Sequence, residues 1–387
     1  MKTIPSTLLF ISLFLLQASG LIAQELNPII TAFPSLRIPA SSRGMAMGDC
    51  GIASATENQQ LWYNAAKSAF TQNFHQASVT YSPYLAGISN DIKFLNANYL
   101  ANVSNTSAFG ISLSYLSLGN MATKDDNGAM IAFYKSSEFN LGASYALQVG
   151  AKASLGMALR FLGSQPAQFQ EPNGYGAIPR HLYSASADIS YYQYYDLDGN
   201  GRKLEWGTVI SNIGPKVSLQ GNDQKTFLPT NLGIGISYTT GDQSTGDRFT
   251  VALDINKLLV PTPPVYDATG TITAGKDPDR SILNALLSSF SDAPGGMAEE
   301  LREIRVSAGL EYSFADQFFM RAGLSLENRL KGNKKFTALG VGYKGAIKDQ
   351  AWGLNFHYLI PFGMITGVSP FQNSWGFTLK LNVGNFQ

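Results

Sequence analysis

From about residue 76 to the end, apolar side chains recur at every second position, in runs broken by Gly-, Asn- and Asp-rich segments. Period two puts alternate side chains on opposite faces of a strand. The closing run places Trp375, Phe377, Leu379, Leu381 and Val383 on one face and Ser374, Gly376, Thr378, Lys380 and Asn382 on the other. Phe109-Ile111-Leu113-Tyr115, Phe139-Leu141-Ala143-Tyr145-Leu147, Leu155-Met157-Leu159-Phe161 and Leu232-Ile234-Ile236-Tyr238 are equally clear, with Gly, Ser, Ala and Asn between the apolar residues. The pattern predicts about fourteen strands of the ~9–11 residues that a tilted membrane strand needs. They start near Gln76, Ile92, Ser107, Ser137, Lys152, Tyr183, Leu204, Thr230, Arg248, Glu303, Gln317, Phe336, Gln350 and Ser374.

An apolar face outside and a small or polar face inside predicts an all-β fold, a transmembrane antiparallel up-and-down β-barrel. An even strand count lets the barrel close with no edge left in lipid. Loop lengths sort as such a barrel requires. Short connections at Val103–Thr106, Val149–Ala151, Phe314–Asp316 and Gly345–Asp349 fall on one rim. Ser117–Ser136, Gly163–Leu182, Gly214–Pro229 and the longest segment, Lys257–Arg302, fall on the other. The short-turn rim is the periplasmic one in this reading.

The N-terminus reads as an address. Lys2 precedes an apolar run from Leu8 to Leu16, and small residues offer cleavage before Gln24, with Gly20 as the alternative. Residues 1–23 are therefore expected to be a signal peptide, too short to span as a helix. Composition agrees: 14% of residues are charged, against about 25% in a soluble domain. No apolar run after residue 23 approaches the ~20 residues of a membrane helix. A net charge of +1 gives no argument for nucleic acid. The single cysteine, Cys50, excludes an internal disulfide and lies too far along for a lipid anchor at the cleavage site.

Residues 24–75 do not alternate. They hold Gly44, Gly48, Gly51 and a helix-compatible stretch from Glu57 to Phe70. Some fifty residues make too little for a domain, and a fourteen-strand barrel is wider than its own side chains fill. The segment is expected to plug the barrel (residues 76–387) from the periplasmic side. Arg160, Asp188, Asp254, Arg305, Glu311, Arg321, Glu327 and Lys380 fall on the inward face, with both signs present. They are expected to pair across a hydrated interior and not to form the single-sign ring of an ion-selective pore.

Several segments resemble the PorV family, the outer-membrane barrels of the Bacteroidetes type IX secretion system, similar in fold to FadL-type barrels. They are Ser41-Ser-Arg-Gly-Met-Ala-Met-Gly-Asp49, Trp206-Gly-Thr-Val-Ile-Ser-Asn-Ile-Gly214, Asn256-Lys-Leu-Leu-Val-Pro-Thr-Pro-Pro264, Ser289-Phe-Ser-Asp-Ala-Pro-Gly-Gly-Met-Ala-Glu-Glu300, Gly309-Leu-Glu-Tyr312 and Arg321-Ala-Gly323. The Asp292–Gly296 loop is the most specific. Where the family has Asn-Pro-Ala after a Trp, this chain has Trp62-Tyr-Asn-Ala-Ala66; a preset helix start is lost, though Asn64 still caps.

The resemblance implies a non-enzymatic carrier without cofactors. It would receive cargo bearing a C-terminal signal domain from a giant translocon barrel and pass it to a sortase-like attachment protein. Outer-membrane lipid, including lipopolysaccharide, would be its other neighbour. In the longest loop, Ile282, Leu286 and Phe290 lie at helical spacing. That face either packs on the loop's own base or docks a partner, so the partner-binding candidates are Ile282, Leu286, Phe290, Asp292 and Pro294. Val260-Pro-Thr-Pro-Pro264 would stiffen the approach to it.

Asp196, Asp198 and Asn200, with Gly201, match the first half of a calcium loop, but position 12 is Gly207; a hairpin turn gives the same letters. His75, His181 and His357 have no metal-ligand spacing, and no G-x-S-x-G is present. A lipid A acyl hydrolase needs a Ser–His pair on the lipid side, whereas His357 follows the inward set Ala351, Gly353 and Asn355, so no enzyme is expected. Two alternatives remain: a paralogous barrel with an adjacent role in the same secretion system, and a FadL-like transporter of hydrophobic molecules, which would need an apolar lumen, whereas the inward residues read as mostly small or polar.

Overall fold

A computed structural model describes residues 27–54, 60–71, 75–87, 89–124, 130–165, 181–218, 225–242, 244–347, 350–363, 369 and 371–382. The expected signal peptide lies outside these residues. In chain order the strands are β1 (His75–Pro83), β2 (Lys93–Ser104), β3 (Ser107–Lys124), β4 (Met130–Gly150), β5 (Ala153–Gln165), β6 (Leu182–Asp196), β7 (Lys203–Ile213), β8 (Asn231–Asp242) and β9 (Asp247–Leu258). A loop hairpin, β10 (Val265–Tyr266) and β11 (Ile272–Ala274), precedes β12 (Ile304–Phe314), β13 (Phe318–Leu326), β14 (Phe336–Ile347), β15 (Gln350–Pro361) and β16 (Trp375–Asn382). All but the loop hairpin pair antiparallel with their neighbours into one closed barrel of fourteen strands. Closure is by β1 on β16, from Gln76 opposite Asn382 to Tyr81 opposite Phe377.

The alternation seen in the sequence is the alternation of burial. On β5, Leu155, Met157, Leu159 and Phe161 are exposed while Gly156, Ala158, Arg160 and Leu162 are buried. Exposed Leu, Ile, Val and aromatic residues continue around the wall, giving the outward apolar surface of a membrane barrel. Aromatic rings cluster near the short-turn rim, as in Phe318–Tyr343–Trp352 and Tyr191–Trp206, where headgroups meet hydrocarbon.

The rims sort as expected. Among the described residues, 105–106, 151–152, 197–202 and 315–317 connect strands on one rim; 84–87 with 89–92, 214–218 with 225–230, 259–303 and 327–335 lie on the other. One stretch departs from expectation. Residues 117–136, read as a long loop, are mostly strand, because β3 reaches Lys124 and β4 begins at Met130. The ladder shifts register between Ser117 and Asn120, where Gly119 has φ 75°. A bulge exchanges the faces, so the alternation on its two sides falls out of phase.

The N-terminal segment lies against the inward face of the wall. It comprises a 3₁₀ turn at Pro34–Arg37, α1 (Ser42–Ala46), α2 (Gln60–Tyr63) and a second 3₁₀ turn at Ala65–Phe70. Ser41 Oγ accepts from the Gly44 N–H at 3.2 Å, and Asn64 Oδ1 from the Ala66 N–H at 3.0 Å, so both starts are capped. At the long-loop rim the Asn27 N–H donates to the Leu330 carbonyl and its side chain to that of Pro263. At the other rim Asn102 and Gln148 donate to the carbonyls of Thr71 and Ala69. The segment is therefore hydrogen-bonded to the wall at both rims.

Candidate functional site

The inward charges find their partners differently from the expected pairing across water. Arg160 and Asp188 are neighbours on β5 and β6, 2.5 Å apart, and Arg160 also donates to the Leu61 carbonyl of the N-terminal segment. Glu311 is held by Arg321 of β13 and, at 2.8 Å through two hydrogen bonds, by Arg43 of α1. Arg305 pairs with Asp49, and Glu327 with Arg37. Asp254 accepts from the backbone N–H groups of Gly51 and Ile52 at 2.7 and 3.0 Å. Lys380 is half-buried on β16. Much of the wall charge is thus neutralised by the N-terminal segment itself.

Wall glycines give that segment its room. A Cβ on Gly323 would collide with the backbone of Met47 and Gly48; one on Gly309 would lie 2.6 Å from the Met47 carbonyl oxygen. Gly156 sits under Ala65–Ala66, Gly235 under Ile52–Ala53, and Gly340 under Ala46. Cys50 is buried among Met47 and Ala252.

The long loop carries α3 (Ile282–Ser288) and α4 (Met297–Arg302). Ala285 is the contact residue of α3, buried with Ile29, Phe227 and Val260. Ile282 and Leu286 are consequently half-buried; the exposed apolar residues are Leu283, Leu287 and Phe290, so of the face given by spacing Phe290 alone is exposed. Met297 and Leu301 of α4 are also exposed. Asp292 is buried and Pro294 half-buried. Asp292 belongs to the loop's anchor: its N–H and that of Ala293 donate to Glu300 Oε1 at 2.7 and 2.9 Å. Lys257 at the end of β9 donates to Glu300 and Glu303 at 2.8 and 2.7 Å. Burial, with Glu300 and Glu303 adding to it, raises the Asp292 pKa.

The Asp196–Gly201 turn lies at the short-turn rim. Asp196 Oδ1 accepts from the Gly199 N–H and Asp198 Oδ1 from those of Asn200 and Arg202, an Asx-turn arrangement. These N–H groups hold the Asp198 carboxyl below its usual pKa. Asn200 offers its backbone to the turn. Among the described residues no group of three or more His, Cys, Asp or Glu could hold a metal ion. His75 stacks on Tyr99, His181 on Tyr183, and His357 is buried on β15.

Between the N-terminal segment and the long-loop rim lies a chamber of about 490 Å³. Its apolar side includes Ile38, Leu116, Tyr84 and Phe371; its polar side includes Asn231, Asn256 and the ion pairs of Asp49 and Glu327. The inward face here is more apolar than the sequence reading expected, since Phe94, Leu116, Phe336 and Leu359 are all buried.

Solved structures with this fold are distant in sequence. A TodX mutant described as a monoaromatic hydrocarbon channel is 13% identical, with 88% of this chain and 97% of that one covered at TM-score 0.53. The Ralstonia pickettii toluene transporter TbuX is 10% identical, with 88% and 97% covered at TM-score 0.50. A Pseudomonas aeruginosa FadL homologue matches at 11% identity, 89% and 98% coverage and TM-score 0.46. No curated protein sequence matches the chain. A family model described as type IX secretion system protein PorV matches residues 22–265.

Proposed function

This chain belongs to the PorV family of type IX secretion system proteins, and from that premise we propose that it is a cargo carrier of that system. Family and fold support an outer-membrane barrel; in our reading it is non-enzymatic and its long-loop rim faces outward. In our reading residues 1–23 are the export signal and the segment from residue 24 closes the lumen. The barrel takes cargo by its C-terminal signal domain from a giant translocon barrel and hands it to a sortase-like attachment protein. Lipopolysaccharide surrounds the outward rim.

One observation beyond family membership carries the reading. Leu283, Leu287, Phe290, Met297 and Leu301 stand exposed on a loop anchored by buried ion pairs, outside the membrane, where lipid tails do not cover them. Exposed apolar clusters of this kind mark protein contacts. The ion pairs joining the N-terminal segment to the wall favour a closed lumen, and with it a carrier over a transporter.

The test is affinity purification from native outer membrane in mild detergent, with mass spectrometry of what is retained, for the parent and for a Leu283→Asp/Leu287→Asp variant. The reading expects a very large barrel and secreted proteins sharing a C-terminal domain, both depleted in the variant while the barrel still inserts. Equal recovery of every partner by the variant would remove the docking role from this face. Recovery of no such partners by the parent would remove the carrier reading.

A further inference from the structure

The chamber has the size of small-molecule sites, which span roughly 300–1,000 Å³. Its lining holds four cations, Arg37, Arg305, Lys331 and Lys334, and four anions, Asp49, Asp254, Glu303 and Glu327. Most are already spoken for. Arg37 meets Glu327 at 3.0 Å, Arg305 meets Asp49, Lys331 meets Glu303 at 3.0 Å, and Asp254 is bound by two backbone N–H groups.

Lys334, in the connection between β13 and β14, is the exception. Its buried ammonium has one long contact, 3.5 Å to Asp49 Oδ2, the oxygen that also takes Arg305. Its other near neighbours are the rings of Phe336 and Phe371, each 5.9 Å away. An ammonium has three donors, so at least two of them are unused on the described residues. Burial holds the group down to about 8. Tyr84 lines the same chamber, its hydroxyl makes no hydrogen bond to a described residue, and its ring lies 5.8 Å from that of Phe371. Ile38, Leu116 and Leu85 pack around Tyr84.

We propose that this chamber binds a small neutral amphiphile, a molecule with an aliphatic or ring body and a hydroxyl or carbonyl oxygen. The oxygen accepts from Lys334 Nζ and meets the Tyr84 hydroxyl; the body lies along Phe371, Leu116 and Ile38. Neutrality follows from the lining. Cations and anions are equal in number, and a carboxylate would put a further anion beside Asp49 and Glu327. A neutral oxygen satisfies the spare donors without disturbing that balance. The binding is independent of cargo transfer and requires no passage through the barrel.

The experiment is calorimetry of the intact protein in lipid nanodiscs, titrated with 1-octanol and separately with octanoate, with empty nanodiscs subtracted. Saturable octanol binding is expected, with octanoate about tenfold weaker or more. Lys334→Met should weaken octanol about tenfold, the scale of one charge-assisted hydrogen bond. Tyr84→Phe, nearly isosteric, should weaken it several-fold and serves if Lys334→Met fails to insert. No heat beyond empty nanodiscs, octanoate bound as tightly as octanol, or variants indistinguishable from the parent would each overturn the proposal.

Discussion

Arg43 of α1 and Glu311 of β12 lie 268 positions apart in the chain and are joined by two hydrogen bonds of 2.8 Å inside the barrel. The fork geometry matches guanidinium to carboxylate, and Arg321 closes on the same carboxylate from the wall. Replacing Arg43 by Met leaves Arg321 in place but removes the tie to the segment. Breaking a buried pair costs on the order of 3 kcal/mol. Arg43→Met should lower the temperature at which the barrel loses its heat-modifiable band, and Arg43→Lys, which keeps charge without the fork, should fall between.

Gly323 should tolerate no side chain. Its Cβ position is occupied by the backbone at Met47–Gly48, and Gly48 itself has φ 73° and cannot easily shift. Gly323→Val is expected to lift the segment from the wall and open Arg43 to trypsin in detergent. Gly150→Ala, whose Cβ would meet its nearest atom at 3.9 Å, should leave the digestion pattern unchanged.

Glu300 organises the base of the long loop through Lys257 and the N–H groups of Asp292 and Ala293. Glu300→Ala leaves a buried ammonium short of an acceptor, at a local cost of roughly 2–3 kcal/mol. Hydrogen exchange should rise across residues 292–303 while the barrel strands stay protected. Unchanged exchange there would show that the loop is held by its apolar contacts alone.

Lys334 supplies a pH dependence whose sign is fixed. Its folded value, about 8, lies below its ordinary 10.5. Between these values the unfolded chain holds more protons, so stability rises with pH through that window and is flat below it. The rise is at most ~3 kcal/mol. Melting in detergent at pH 7 and at pH 9.5 should show a larger upward difference for the parent than for Lys334→Met.

At Asp196 and Asp198 the backbone takes the side-chain oxygens that a calcium ion would use. Adding calcium and then a chelator should leave the melting temperature where it was. A calcium-dependent rise would reassign the turn as a metal site.

Period-two alternation by itself determined the barrel, because burial against lipid constrains every second residue of a strand and needs no knowledge of its neighbours. It placed nearly all strand starts within two residues and sorted the loops by rim; the family resemblance lay outside it, in the non-alternating Ser41–Asp49 and Ser289–Glu300. It lost the first residues of β4, since the bulge at Ser117–Asn120 breaks the phase. What required the tertiary structure was every question of what a face touches. Ala285, too small to look like an anchor, turns α3 so that Leu283 and Leu287 are the exposed residues, because helix burial follows closest approach and not side-chain size. Glycines that read as polar-side spacers prove to be seats for the N-terminal segment. The charges and apolar residues facing inward reveal their partners, and the chamber between them, only when residues hundreds of positions apart are brought together; the period of one strand holds no information about the lumen it encloses.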